Sequence, residues 1–323
     1  MSGSIHILGP QQPSANLPTV VANHIPDGPM AIITAGWRLD ESDISALERD
    51  LKAPLFLLPL YTWFDFLGSK EPDLAGQHAA RQNKIKAYKK IYNLQLQSAC
   101  DLWTKISDLK QKNNELYEID EHDACETVRQ TDRRCIERQN AVRKSFPDLE
   151  KPWSHFSAAP YYKKIEMTLQ KCSGLIIAGG HVAVLRNRMY FFGLNKLLPE
   201  FLDAGKSIIT WSAGAMSLSE QIVLYYDDPP DNDAGLPKVL DKGLGLIPNT
   251  IFLPHARQRL HIDTPKRVTR FARRFLPAKC IALEHGAHLQ YQNNNPEPVN
   301  HSEKGSCYEL HVDGTTRDIE GGQ

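Results

Sequence analysis

The spacing of apolar positions divides the chain into three regimes. In the first, short apolar runs alternate with polar stretches. Ser4 to Leu8, Met30 to Thr34 and Pro54 to Leu60 read as strands, and Asp40 to Leu51 reads as a helix with acidic residues in its first turn. Strand, helix, strand in that order is the signature of a parallel sheet. From about Asp73 to Lys144 the period changes. Ile85, Tyr88, Tyr92, Leu96, Ala99, Trp103 and Ile106 recur every three or four residues, which places them on one face of a helix. Over this span glycine is absent after Gly76 and proline after Pro72. Lys112-Asn113-Asn114 breaks the pattern, and a second, more polar helix is expected over Asp120 to Lys144, ending before Pro147.

The alternating pattern returns with a helix at Tyr161 to Lys171 and a strand at Gly174 to Ala178, closed by Gly179-Gly180-His181. An amphipathic stretch, Val182 to Ala204, leads into the buried run Lys206-Ser207-Ile208-Ile209-Thr210-Trp211. Later apolar runs at Ile222 to Tyr226, Leu244 to Leu253 and Cys280 to Leu283 add strands. Thr264-Pro265 opens a helix to about Phe275, and the Asp313-Gly314 turn after Tyr308 to Val312 closes a hairpin. The fold class expected is α/β, a doubly wound and mostly parallel sheet. Residues 1–72 form its first part, 73–148 are an inserted helical hairpin, and 149–323 are the remainder, carrying the chemistry. The hairpin stripe is more apolar than its partner helix can cover. It is therefore expected either to pair with the same hairpin in a homodimer or to fold back on its own α/β domain.

Composition narrows the function classes. The chain is 41% hydrophobic and 24% charged with formal net charge zero. That is ordinary for a globular protein and supplies no overall basic field for nucleic acid or an anionic membrane. No apolar run reaches bilayer length, and Met1-Ser2-Gly3-Ser4 lacks the pattern of a secretory signal. The six cysteines, Cys100, Cys125, Cys135, Cys172, Cys280 and Cys307, are scattered. Such spacing fits neither a zinc site nor a disulfide framework, so a cytoplasmic protein without metal or cofactor is expected.

The densest chemical signal is Trp211-Ser212-Ala213-Gly214-Ala215, where a buried strand turns into a small-residue helix start. A serine at such a corner projects its hydroxyl out of the backbone path, and close neighbours must be small. Thr210 stands where a second glycine usually would, so the elbow pattern is half met. Serine hydrolysis also needs a base, an acid that orients it, and donors for the oxyanion. His255 follows Pro254 at the end of an apolar run, and Asp227 lies in the Asp227-Asp228-Pro229-Pro230 turn. Gly180 and the Ala213 amide are the candidate oxyanion donors. Arg257, Arg259 and Arg267 are candidates for a substrate carboxylate, because a guanidinium matches it bidentately.

Taken together, the stretch from about Leu175 to Leu289 resembles the dipeptidase E and cyanophycinase family of serine peptidases. The resemblance rests on Gly179-Gly180 after a strand, the Trp211 to Ala215 segment, Leu244-Gly245-Leu246-Ile247-Pro248, and Pro254-His255. It implies a flavodoxin-like fold of the class I glutamine-amidotransferase type, with Ser212 as nucleophile and His255 as base. It implies Gly180 and Ala213 as oxyanion donors, and an acid at Asp227 or at Glu284 or its neighbour. His181 stands where the family usually has Asn or Asp and is a candidate substrate contact. The implied substrate is a small aspartyl peptide, split either as the dipeptidases do or at the β-aspartyl linkage of cyanophycin. Two other classes remain open: a non-catalytic binding or assembly protein on the same fold, and a serine hydrolase of another amide or ester.

Overall fold

A computed structural model describes residues 3–13, 15–110, 117–225, 236–292, 297–302 and 305–319. The first half runs β1 (Ser4–Leu8), α1 (Leu17–His24), β2 (Met30–Ile33), α2 (Ser45–Leu51), β3 (Leu55–Leu57), α3 (Leu60–Lys70), α4 (Pro72–Lys110) and α5 (Glu118–Lys144). Then follow α6 (Ala159–Lys171), β4 (Gly174–Ile177), α7 (Val182–Phe191), α8 (Leu194–Asp203), β5 (Ser207–Trp211) and α9 (Ala213–Leu218). The last part holds β6 (Gln221–Leu224), β7 (Lys238–Lys242), β8 (Thr250–Pro254), α10 (Ala256–Leu260), α11 (Pro265–Phe275) and β9 (Lys279–Leu283). It ends with β10 (His288–Gln292), β11 (Val299–Asn300), β12 (Cys307–Leu310) and β13 (Thr316–Asp318).

The central sheet has seven strands in the order β11-β10-β1-β5-β4-β2-β3. Strands β1, β5, β4, β2 and β3 are parallel, and β10 and β11 continue the sheet antiparallel at one edge. The parallel strands are apolar at successive positions because both faces are covered. Ile5, Ile7, Ala31, Ile33, Leu175, Ile177 and Ile208 pack into one core. Their alternating neighbours Leu8, Met30, Ile32, Ile176 and Ile209 pack into another, with α1 beneath them. Period-two alternation between two apolar layers is what makes the sheet doubly wound. At the antiparallel edge, His6, His24, His288 and His301 stack with neighbouring ring centroids 4.8 to 5.3 Å apart.

The later strands do not all extend this sheet. Strands β8 and β9 pair in parallel inside a separate four-stranded sheet, β13-β12-β9-β8, while β6 and β7 form a two-stranded ribbon. The central sheet is the mostly parallel, doubly wound one expected, and these strands lie outside it. Apolar runs specify that a strand is buried, but not which partner it finds.

Helices α4 and α5 lie against one another and against the α/β body. Tyr92, Leu96, Ala99, Cys100 and Trp103 share one packed cluster with Val128 and Ile136 of α5, Ala213 and Met216 of α9, and Phe271 of α11. Buried polar groups tie the same surfaces. Arg274 of α11 holds Asp132 of α5 through two bonds of 2.7 Å, and the Tyr92 hydroxyl donates to Asp132 at 2.8 Å. That hydroxyl also accepts from the Val239 amide of β7 at 2.9 Å. Arg143 of α5 pairs with Asp241 of β7, which Arg186 of α7 also faces. Ile85, Tyr92, Leu96, Ala99 and Trp103 are thus buried within one chain, whereas Tyr88 remains 41% exposed. Most of the stripe is covered by the chain itself.

Candidate active site

Ser212 sits between β5 and α9 with φ 49° and ψ −119°, a conformation glycine adopts freely and serine does not. The geometry follows from its neighbours. Thr210 Oγ1 donates to the Ile177 carbonyl at 2.9 Å. A β-carbon on Gly214 would lie 2.1 Å from that threonine oxygen and 2.5 Å from the same carbonyl. Thr210 therefore fills the space that a small residue usually leaves, and Gly214 becomes the residue that must stay small. The side chain of Ser212 makes no capping bond to α9 and is half-buried. The Ala213 amide begins the helix beside it, where amide groups lack helical partners.

Two further backbone segments close on this corner. A β-carbon on Gly179 would lie 3.1 Å from the Ser212 Cβ. Gly180 has φ 112°, and a β-carbon there would meet the Gly36 carbonyl group at 2.6 Å. The His181 amide donates to the Gly36 carbonyl at 2.8 Å. The Gly179-Gly180 turn is held against Gly36 by backbone contact that side chains would forbid. Gly36 belongs to the 3-10 segment Ala35–Asp40 after β2. Its part in supporting the site was not readable from its position after a strand, since the contact joins residues far apart in sequence. The same segment contains Arg38, exposed and at φ 61° and ψ −115°. Nothing in an arginine's identity signals such a backbone.

His255 ends β8 at φ 59° and ψ 35° and opens α10. It thus comes from the four-stranded sheet, not from the sheet that carries Ser212, and α9 packs between the two against β8. Burial, followed by the charges of Arg259 and His285, holds its imidazole below the usual histidine range. The ring of His285 stands edge-on, 5.9 Å between centroids. The Glu284 carboxylate accepts from the Arg257 amide at 2.7 Å, capping the first turn of α10. It acts on the backbone next to His255, and burial raises its pKa. Asp227 lies outside the described residues.

The remaining sequence candidates separate. The His181 ring accepts from the Val184 amide at 3.3 Å and caps α7. Arg257 pairs with Asp263 at 3.0 Å and donates to the Tyr308 hydroxyl at 2.7 Å. Arg259 and Arg267 instead line a cavity of about 240 Å³, shared with Arg270 and Arg274 of α11 and Trp103 of α4. Arg270, Arg274 and Trp103 were not among the sequence candidates. Trp103 read as one member of an apolar helical stripe. Among the described residues, no group of His, Cys, Asp and Glu side chains is arranged to hold a metal ion. No helix among them is long and apolar enough to cross a membrane.

Residues 139–297 match the sequence profile of peptidase family S51. Comparison with curated proteins finds no match. Among solved structures, a peptidase from an acI-B1 Actinobacterium is similar at a TM-score of 0.51 and 12% identity, over 100% of this chain and 96% of that one. A putative peptidase E protein from Listeria monocytogenes EGD-e aligns at a TM-score of 0.46 and 12% identity, over 94% of this chain and 100% of that one.

Proposed function

We propose that Ser212 is the nucleophile of a serine peptidase acting on short aspartyl-containing peptides, a reading supported by the match of residues 139–297 to the profile of peptidase family S51. Ser212 Oγ adds to the scissile carbonyl carbon as His255 takes its proton. The carbonyl oxygen becomes anionic and is met by the amides of Ala213 and Gly180. The C–N bond then breaks, His255 hands the proton to the leaving amine, and water hydrolyses the acyl-serine along the reverse path. A neutral imidazole is required at the start, and the lowered pKa of His255 suits that role. Asp227 is assigned to orient His255 on its spacing of fifteen residues after Ser212, with Glu284, whose Oε1 accepts from the Arg257 amide, as the alternative acid.

The observation that carries the proposal is the backbone of Ser212. A non-glycine residue held at φ 49° at a strand-to-helix corner, its hydroxyl uncommitted to the helix, carries a backbone cost of the kind that concentrates at functional sites. The substrate class rests on Arg259 and Arg267, which share a cavity beside α10. Guanidinium groups attract an acidic peptide and repel the arginine side chain of cyanophycin, so the aspartyl-dipeptidase reading is favoured. His181 and Arg257 are not assigned to substrate: His181 Nδ1 caps α7, and the Arg257 guanidinium holds Asp263 and the Tyr308 hydroxyl.

A fluorophosphonate probe tests the assignment. Wild type is expected to label and Ser212→Ala not to label, with turnover of an aspartyl dipeptide falling by about 10³ or more. Asp227→Asn should lower turnover by about 10²–10⁴, and Glu284→Gln by much less. Equal labelling of wild type and Ser212→Ala would remove Ser212 from the role.

A further inference from the structure

Helix α4 carries a second apolar face. Its buried face, Tyr92, Leu96, Ala99 and Trp103, packs against α5 and the α/β body. About a third of a turn away, by the 3.6-residue period, lie Ala80, Ala87, Ile91, Leu94, Leu102 and Leu109, all exposed. Leu94 is 73% exposed and Leu102 50%. From Ala80 to Leu109 the strip runs for about 45 Å of helix, and contiguous exposed apolar surface of that extent marks an interaction site. The strip has two unlike halves. At the open end of the hairpin it borders a groove of about 470 Å³, walled by Lys84, Ala87, Tyr88 and Ile91 of α4 and by Arg138 and Ala141 of α5. Toward the turn end the leucines Leu94 and Leu102 project from it. A groove in one half and projecting side chains in the other is what a surface needs to pair with itself across a two-fold axis.

Charge divides the same way. The exposed cations Lys84, Lys86, Lys90, Arg134 and Lys144 gather at the open end, with the half-buried Arg138 among them. The exposed carboxylates Asp101, Glu118, Asp120 and Asp123 gather toward the turn end. Lys84 and Arg138 lie over rings rather than carboxylates, 5.0 Å from the Phe146 centroid and 6.0 Å from that of Tyr88. The Asp101 carboxylate accepts from the Gln97 side-chain amide at 2.9 Å, and not from a cation among the described residues.

We propose that this outer face of α4 is a homodimer surface, on which a second copy of the chain lies antiparallel across a two-fold axis beside residues 92–93. In that register Leu94 of each copy meets Ile91 of the other, Leu102 enters the other copy's groove, and Asp101 meets Lys84. Apolar contact supplies the affinity. The exposed ion pairs add little to it but fix the orientation, since a parallel pairing would set cations on cations. A helix 10–12 Å across that overlaps its copy for about 45 Å takes several hundred Å² per copy out of water, which brings the pair to the ~1,000 Å² of a specific interface. The paired surface is not the Ile85 to Ile106 stripe, most of which the chain covers; only Tyr88 belongs to both. The dimer stands apart from the peptidase reading and gives the insertion a role of its own.

Sedimentation velocity on the full chain, from about 1 to about 100 μM, tests this. Wild type is expected to form a concentration-dependent dimer. Leu94→Glu, on a side chain exposed enough to spare the core and checked for folding by circular dichroism, should weaken the dimer by about 100-fold or more, because the two-fold axis brings the new charge into the interface twice. Lys84→Glu and Asp101→Lys should each weaken it by about tenfold, and together should restore it to within about threefold of wild type, since the swapped charges pair again only in the antiparallel register. A wild type that stays monomeric at about 100 μM overturns the proposal and leaves the face to a different protein. So does a folded Leu94→Glu that dimerises as wild type does, or a double charge variant that binds no tighter than the single ones.

Discussion

Replacing Ser212 by glycine should stabilise the protein relative to replacing it by alanine. At φ 49° and ψ −119° the residue occupies a region that costs a side-chain-bearing residue about 1–3 kcal/mol and glycine almost nothing. Alanine keeps the β-carbon and the strain, while both substitutions remove the hydroxyl, so the comparison isolates the backbone. Against the gain stands the greater freedom of glycine in the unfolded chain, about 0.5–1 kcal/mol. The balance is a stabilisation of about 1 kcal/mol for Ser212→Gly over Ser212→Ala. For a chain of this size that amounts to a rise of about 2 °C in Tm. Differential scanning fluorimetry of the two variants at one scan rate measures it, and neither variant should hydrolyse peptide. If Ser212→Gly melts below Ser212→Ala, the backbone is not strained at this corner and the elbow argument fails.

Asp132→Asn leaves Arg274 buried against half a partner. The charge, held well up by Asp132, then lacks compensation, and a loss of about 3–5 kcal/mol is expected in a urea unfolding curve. The histidine cluster sets an acid limit. Burial, then the charges of neighbouring histidines, holds His6 and His288 down to about 3. Both are ordinary histidines when unfolded, so the unfolded state takes up protons first as pH falls below about 6.5. Stability should therefore be fully present above about 6.5 and decline steadily toward pH 3, and His6→Gln should flatten that decline in a pH series of melting temperatures. For activity, the lowered pKa of His255 places the acid limb of kcat/KM below the usual histidine value. A limb above pH 6.5 would show that another group titrates.

The local chemistry of the chain was sufficient for some of this. The run Ile208-Ile209-Thr210-Trp211 followed by Ala213-Gly214-Ala215 can only be a buried strand entering a helix with little room at the corner. The three-and-four spacing from Ile85 to Ile106 can only be a helix face, because period is a property of neighbours along the chain. Other features needed distant segments to meet. Strand β8 joined β9 rather than the central sheet, which put His255 and Ser212 on different sheets bridged by α9. Glu284 turned to the Arg257 amide, and His181 to the cap of α7. Gly36 came under Gly180 through a contact between residues 144 positions apart by subtraction of their numbers. Trp103 belongs to the stripe by period, yet it lines a cavity shared with arginines of α10 and α11. Periodicity assigns a side chain to a face. What lies opposite that face, and whether a donor there finds an acceptor, is decided only when the chain closes on itself.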